Sequence, residues 1–123
     1  MNENVMIIKA IADESRYQIV KLLLEKDYCV SGLAYRLGIS EAAVSQHIKI
    51  LKEAKILYGE KRGYFMHYYV NHERLRSLID EIDSLLIIKR KACIESENDC
   101  HRYGRRHCRK INNELIKKGD QHE

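Results

Sequence analysis

The sequence contains no proline and no tryptophan, and only one phenylalanine and six glycines among its 123 residues. Because proline interrupts helices, its absence favours a mainly helical chain. No apolar run is long enough to cross a membrane, and the first residues lack the basic segment of an export signal. We therefore expect a cytoplasmic protein with no membrane partner. At this length we also expect one small core, which a dimer interface would enlarge.

The chain has little excess charge, and all of the excess lies at one end. Residues 1–88 hold 12 basic and 12 acidic side chains, whereas residues 89–123 hold 10 basic and 6 acidic ones. A chain this neutral over most of its length can bind nucleic acid only through locally placed cations. We divide it into a folded domain, residues 1–95, and a basic extension, residues 96–123, that contains Cys and His and is partly disordered at its end.

Residues 33–55 show the pattern of two short helices joined by a tight turn. Gly38 is suited to end the first helix, because glycine readily adopts the left-handed conformation found there. Ser40 is suited to cap the second helix, which we expect to run to about Lys55. Apolar residues fall on one side of this second helix and small or polar residues on the other. Such a pair of helices is typical of a helix-turn-helix.

The segment after these helices predicts a β-hairpin. We expect strands at Ile56–Tyr58 and Tyr64–Val70, joined by a charged turn at Gly59–Gly63. The predicted fold is therefore mainly α with a small β-hairpin, a winged helix-turn-helix. The residues predicted to contact DNA are Ser40, Ala42, Ala43, Ser45, Gln46, Lys49, Lys52, Lys61, Arg62 and Tyr64.

The residue types within this set suggest different roles. Ser45 and Gln46 are suited to base edges, because glutamine can pair bidentately with adenine. The four cations are suited to phosphates. Tyr64 can pack either on the sugar-phosphate edge or within the hairpin. His47 lies nearer the core side of its helix, where we expect it to be half-buried and hydrogen-bonded to a neighbouring backbone group.

Three further helices are predicted to build the frame. They cover Val5–Ala12, Glu14–Lys26 and a segment that opens near His72. The last one carries more apolar surface than a single small core needs, which indicates an interface.

Four ordered segments resemble those of the ArsR/SmtB winged-helix repressors. They are residues 11–24, IADESRYQIVKLLL; residues 27–34, DYCVSGLA; residues 44–51, VSQHIKIL; and residues 63–70, GYFMHYYV. The resemblance covers residues 5–88. It implies a homodimer that pairs through the first and last helices, and a transcriptional repressor that leaves its DNA operator when an effector, usually a metal or metalloid ion, binds.

The cysteines are the candidates for sensing such an effector. In a cytosolic chain, cysteines are more often ligands or redox thiols than structural disulfides. An unbroken last helix would place several of the tail thiols and imidazoles near its apolar stripe. Thiolates favour Zn(II), Cd(II), Cu(I) or As(III). The candidate metal ligands are Cys29, Cys93, Cys100, Cys108, His101 and His107.

The spacing of these residues leaves several functions open. The Cys-Val-Cys of the family's arsenic-type site is here Cys29-Val30-Ser31, and the Asp-x-His pair of its zinc site is absent. A thiol-redox or persulfide switch, an iron–sulfur cluster and incidental cysteines therefore remain alternatives to a metal site. A winged helix used only for protein–protein interaction is a further one. No phosphate loop or nucleophile–base pair is present, so we expect no enzyme.

Overall fold

The computed structural model describes residues 2–92, and these form five helices and one hairpin. The elements in chain order are α1 (Glu3–Ile11), α2 (Glu14–Glu25), α3 (Val30–Leu37), α4 (Glu41–Glu53), β1 (Leu57–Arg62), β2 (Phe65–Val70) and α5 (His72–Leu86). The helices and the hairpin form one compact unit that ends at Leu86. The winged helix-turn-helix predicted from the sequence is confirmed. No helix within residues 2–92 could span a membrane.

The core lies where α1 to α4 meet the base of the hairpin. Its largest fully buried side chains are Ile7, Ile19, Leu33, Val44, Leu51 and Ile56. These residues come from four helices and the segment before β1, so burial of their apolar surface holds the elements together. Helix α5 contributes no fully buried residue, and only Leu75 and Leu78 pack partly against this core.

The hairpin differs from the prediction in the position of its turn. Strand β1 continues through the charged residues to Arg62, which pairs with Phe65 of β2. The connection is therefore two residues long, Gly63 and Tyr64, and not the predicted turn at Gly59–Gly63. Gly63 has φ +62° and Tyr64 does not have positive φ, and positive φ at the first position alone is typical of a type II′ turn.

Two helix ends bear on the predicted site residues. Helix α4 ends at Glu53, and Lys55 adopts a left-handed conformation with φ +61°. Helix α5 ends at Leu86, and the described residues after it are irregular. The last helix does not run on unbroken, so the helical spacing that placed the tail cysteines on its apolar stripe does not apply.

Candidate nucleic-acid interface

The start of α4 is built as the sequence predicts. Gly38 ends α3 with φ +68°. The Ser40 hydroxyl then accepts a hydrogen bond from the backbone N–H of Ala43, at 3.1 Å. Val44 is fully buried, and Ile39 packs partly against the same core. A capped first turn with apolar residues on either side of the cap determines the direction in which α4 leaves the turn.

Helix α4 has one buried side and one open side. Val44, Ile48 and Leu51 are buried, which leaves the opposite side exposed. That exposed side carries most of the residues predicted to contact DNA: Ala42, Ser45, Gln46, Lys49 and Lys52. Ala43 is half-buried, and Ser40 is exposed at the cap. The structure thus brings small and polar side chains together on one convex surface.

A shallow groove separates α4 from β2. It has a volume of about 340 Å³ and is lined by Ser45, Lys49, Lys52 and Tyr68 together with Ile48 and Glu53. The Lys52 ammonium lies 5.9 Å from the centre of the Tyr68 ring, within the range of a cation–π contact. The hairpin therefore continues the surface of α4 with an aromatic wall.

The wing carries its two cations in different surroundings. Lys61 is exposed, whereas Arg62 contacts the α2–α3 connection: its Nη1 lies 3.7 Å from Oδ2 of Asp27. The other carboxylate oxygen of Asp27 lies 3.0 Å from Nδ1 of His67 on β2. The Arg62 guanidinium also lies 5.3 Å from the Tyr69 ring. One carboxylate thus contacts both strands of the wing, a role of Asp27 that sequence reasoning missed.

The tip of the wing is aromatic. Tyr64 is 99% exposed in the turn, so it does not pack within the hairpin. Phe65, which sequence reasoning did not select, is 65% exposed beside it. The aromatic packing lies further along the ribbon, where the Tyr58 and Tyr69 rings stack with their centres 5.5 Å apart. The tip therefore presents two open ring faces next to the cations.

His47 lies where helix α4 meets helix α2. It is half-buried, as predicted, but its partner is a side chain and not the backbone: Nη1 of Arg16 lies 3.3 Å from Nδ1 of His47. Nε of Arg16 donates to the carbonyl oxygen of Ala10, at 2.6 Å. Sequence reasoning missed the contact between Arg16 and His47, because 31 residues separate the two positions.

Asp13 caps α2 next to these residues. Its carboxylate accepts a hydrogen bond from the backbone N–H of Arg16, at 3.0 Å. This bond is the main cause that lowers the pKa of Asp13 below its usual value, with a smaller contribution from the positive charge of Arg16. The negative charge of this cap also interacts favourably with the positive, N-terminal end of the helix dipole.

Cys29 is the candidate metal ligand that the structure describes. It precedes α3, and its Sγ lies 3.1 Å from Oγ of Ser31. The Ser31 hydroxyl and, next, the backbone N–H of Gly32 lower the pKa of the Cys29 thiol. Within residues 2–92, no three His, Cys, Asp or Glu side chains lie close enough to hold a metal ion. The remaining candidates lie outside the described residues: Cys93, Cys100, Cys108, His101 and His107.

Known proteins resemble the chain over this same region. The sequence profile described as "Bacterial regulatory protein, arsR family" matches residues 13–58, from the α2 cap into β1. A helix-turn-helix-type transcriptional regulator of Methanocaldococcus jannaschii is 35% identical over 64% of this chain and 90% of that protein. The arsenical resistance operon repressor of Bacillus subtilis is 32% identical over 75% of this chain and 84% of the repressor.

A solved structure agrees with these sequences. The ArsR-like transcriptional regulator from Rhodococcus sp. RHA1 superimposes with a TM-score of 0.62 at 25% identity, over 68% of this chain and 78% of that one. The matched share is comparable to the part of the chain that the helices and the hairpin occupy.

Proposed function

Because this chain belongs to the ArsR family of DNA-binding transcriptional regulators, we propose that it is a repressor that binds a specific operator as a homodimer. It is not an enzyme. The observation that carries the proposal is the exposed side of α4, which presents Ser45, Gln46 and Lys49, two of which, Ser45 and Lys49, line the groove beside β2. Its small and polar side chains allow a helix to lie deep in a major groove.

Each residue on this surface has a distinct task in the proposed complex. Gln46 pairs with a base edge and Ser45 donates to or accepts from one, while Ala42 leaves room for the close approach. Lys49, Lys52 and Lys61 bind phosphates, which position the helix without reading sequence. Because the main part of the chain is close to neutral, these few lysines supply most of the attraction to DNA.

Exposed apolar side chains on α1 and α5 support the homodimer. The side chains of α5 that remain open are Ile79, Ile82, Leu85 and Leu86, and those of α1 are Val5, Met6 and Ile8. The two helices pack against each other, so their open residues belong to one part of the molecule. Pairing of two such surfaces buries them and presents two α4 helices to successive major grooves, roughly 34 Å apart.

Selection of DNA from a random-sequence duplex library tests the proposed function. We expect wild-type protein to enrich a two-fold symmetric site. On that site, Gln46→Ala should cost about 1–3 kcal/mol and relax the preference at one base position. Lys49→Ala should instead weaken binding to all sequences and lower the salt dependence by about one phosphate contact. Fluorescence anisotropy at several salt concentrations measures both effects.

Lys21→Ala is the matched control, because Lys21 is an exposed lysine on α2, outside the proposed surface. It should bind the selected site as the wild type does. If no sequence is enriched, the repressor proposal fails and the alternative of a protein–protein interaction module is favoured. If a sequence is enriched but Gln46→Ala and Lys49→Ala both bind it normally, the assignment of α4 as the helix that reads DNA is wrong.

The effector in this proposal is a metal or metalloid ion bound by cysteine thiolates. A relative of this chain is named for arsenical resistance, and thiolates favour As(III), Cd(II), Zn(II) or Cu(I). Cys29 by itself does not fit such a site, because its neighbour at 3.1 Å is the hydroxyl of Ser31 and not a second thiolate. The ligands we propose are therefore Cys93, Cys100 and Cys108, with His101, His107 and Cys29 as further candidates.

Anaerobic purification followed by metal and sulfide analysis tests the effector. Stoichiometric zinc, or a thiolate charge-transfer band on adding Cd(II), should disappear when Cys93, Cys100 and Cys108 are all replaced by serine. Cys29→Ser is the control that distinguishes metal binding by the tail cysteines from metal binding by Cys29. Iron with sulfide would favour the cluster alternative. Absence of any metal uptake would contradict the metal proposal and favour a thiol-redox switch.

A further inference from the structure

Arg16 makes directional contacts with two other helices at a corner of the fold. Its backbone N–H donates to the Asp13 cap of α2, and its Nε donates to the carbonyl of Ala10 in the last turn of α1. Its Nη1 lies 3.3 Å from Nδ1 of His47 on α4. A guanidinium can only donate, so His47 must be the acceptor and carry no proton on Nδ1. One side chain therefore joins α1 and α2 to the helix proposed to read DNA.

These bonds supply an orientation that apolar packing does not. Val44, Ile48 and Leu51 bury one side of α4, but hydrophobic burial is non-directional and leaves small rotations of the helix weakly opposed. A hydrogen bond constrains both distance and angle. His47 directly follows Gln46, and each residue advances the helix by about 100°, so the direction of one side chain determines that of the other.

The hydrogen bond from Arg16 to the Ala10 carbonyl connects the contact between Arg16 and His47 to helix α1. The Ala10 carbonyl belongs to the last turn of α1, whose carbonyl oxygens have no partner within the helix and carry partial negative charge. The positive guanidinium satisfies that carbonyl and donates to His47 at the same time. Helix α1 also carries exposed Val5, Met6 and Ile8 of the proposed dimer surface. Arg16 therefore lies between the surface proposed to pair two copies and the surface proposed to bind DNA.

We propose that Arg16 is a positioning residue for DNA recognition, which acts through His47 to set the rotation of α4 relative to α1. The proposal rests on the DNA-binding function proposed above. It adds that sequence selectivity depends on a residue outside the DNA-binding surface. Without the contact, the lysines would still bind phosphates, but Gln46 and Ser45 would no longer be held in register with base edges.

The test compares selective with non-selective binding in the full-length protein. The probes are the duplex that wild-type protein selects from a random library, and poly(dI-dC) as non-specific DNA. Arg16→Lys keeps the charge, but a single ammonium lacks the fork that spans the Ala10 carbonyl and the His47 ring. We expect it to lower the ratio of the two affinities roughly tenfold and to leave poly(dI-dC) binding unchanged.

Variants of His47 show whether Arg16 acts through it. His47→Asn places an amide oxygen near the position of Nδ1 and should retain most of the selectivity, whereas His47→Leu should lose it. In the His47→Leu background, Arg16→Lys should lower the ratio no further, because the contact is already gone. Arg74→Lys is the matched control: Arg74 joins α5 to Glu3 of α1 at 2.8 Å and should leave the ratio unchanged.

Several results would overturn the proposal. One is an unchanged ratio in Arg16→Lys, and another is an equal loss of both affinities, which would indicate a phosphate contact or a general loss of structure. Full additivity in the double variant, or His47→Asn behaving like His47→Leu, would exclude His47 as the intermediary. A wild-type protein that selects no sequence would overturn the DNA-binding function and this proposal together. If the wild type selects a sequence but the effects of the Arg16 and His47 variants are not coupled, only this proposal is overturned.

Discussion

Lys55 follows the end of helix α4 in a backbone conformation that glycine adopts more readily. Its N–H donates to the carbonyl of Lys52, and the N–H of Ile56 donates to the carbonyl of Leu51. This is the hydrogen-bond pattern of a Schellman motif, and the two apolar residues of the pattern, Leu51 and Ile56, are fully buried. The left-handed residue here is lysine with φ +61°, so the motif carries backbone strain.

We predict that Lys55→Gly stabilises the protein. Glycine adopts positive φ without a steric penalty, and part of that gain is lost to the greater entropy of glycine in the unfolded chain. The expected increase in the free energy of unfolding is about 0.5–1 kcal/mol, measured by urea denaturation. Lys55→Ala keeps the strain and is the control. Equal stability of the two variants would contradict the explanation.

Arg62 and Lys61 are neighbours whose surroundings predict different effects on DNA binding. Lys61 is exposed, whereas Arg62 already contacts Asp27. We predict that Lys61→Ala lowers the slope of log affinity against log salt by about 0.9, the value for one phosphate contact. Arg62→Ala should leave that slope unchanged and weaken binding by freeing the wing from Asp27. A lower slope in Arg62→Ala would show that Arg62 binds phosphate itself.

Asp13 predicts a pH-dependent stability. Because its pKa is lowered in the folded state, the charged form stabilises the fold, and this contribution is fully present above the ordinary pKa of the carboxyl group. It is lost as the pH falls through the lowered folded-state pKa. Asp13→Asn keeps a capping side chain without the charge. Its melting temperature should be lower than that of the wild type at neutral pH, and the difference should vanish in acid.

At the scale of elements, the helices were predictable because their signals are local. Gly38 and Ser40 each determine a helix end through their own backbone conformation or hydroxyl group, and the structure confirms both. The hairpin turn was not predictable in this way. Gly59 is followed by three charged residues and indicates a turn, yet it lies within β1.

Gly59 is a glycine for a tertiary reason. A Cβ at this position would lie 2.7 Å from Cε of Met66 and 3.2 Å from the Tyr68 ring on the opposite strand. The side chains that need the space belong to a strand whose register depends on the fold as a whole. Sequence alone shows the glycine, but not whether it serves a turn or leaves room for side chains of the neighbouring strand.

The two glycines of the wing should therefore respond differently to alanine. Gly63→Ala forces alanine to φ +62° in the turn, with open space around it, and should lower the free energy of unfolding by about 1 kcal/mol. Gly59→Ala should cost less, because the flexible end of Met66 can move aside. Chemical denaturation of both variants measures the difference. A larger cost at Gly59 would show that the ribbon packs more rigidly than expected.

The exposed residues of the candidate site were predictable from the sequence, but the contacts that hold them in position were not. Ser45, Gln46 and Lys49 follow from helical periodicity, and the structure places them on one exposed side. The contacts of Arg16 with His47 and of Asp27 with Arg62 join positions far apart in sequence, which no local pattern predicts. Polar partners that meet only in the folded state are set by the packing of whole elements.

At the scale of the whole molecule, the open apolar side of α5 predicts how the chain associates. Leu85 is 60% exposed in the isolated chain, so Leu85→Lys should leave the fold intact while placing a charge in the proposed interface. We expect this variant to sediment as a monomer and to lose affinity for the selected site. Tyr35→Lys is the control, because Tyr35 is an 88% exposed side chain on α3. A dimeric Leu85→Lys would exclude this surface as the interface.

The short connection between α4 and the wing has a kinetic consequence. Only three residues separate Glu53 from Leu57, and one of them, Ile56, is fully buried and hydrogen-bonded through both its N–H and its carbonyl group. No flexible linker therefore exists between helix and hairpin. Helix α4 and the hairpin therefore cannot dissociate from a duplex one after the other. Each protomer of a bound dimer should leave its half of the DNA site in a single step, with one rate constant.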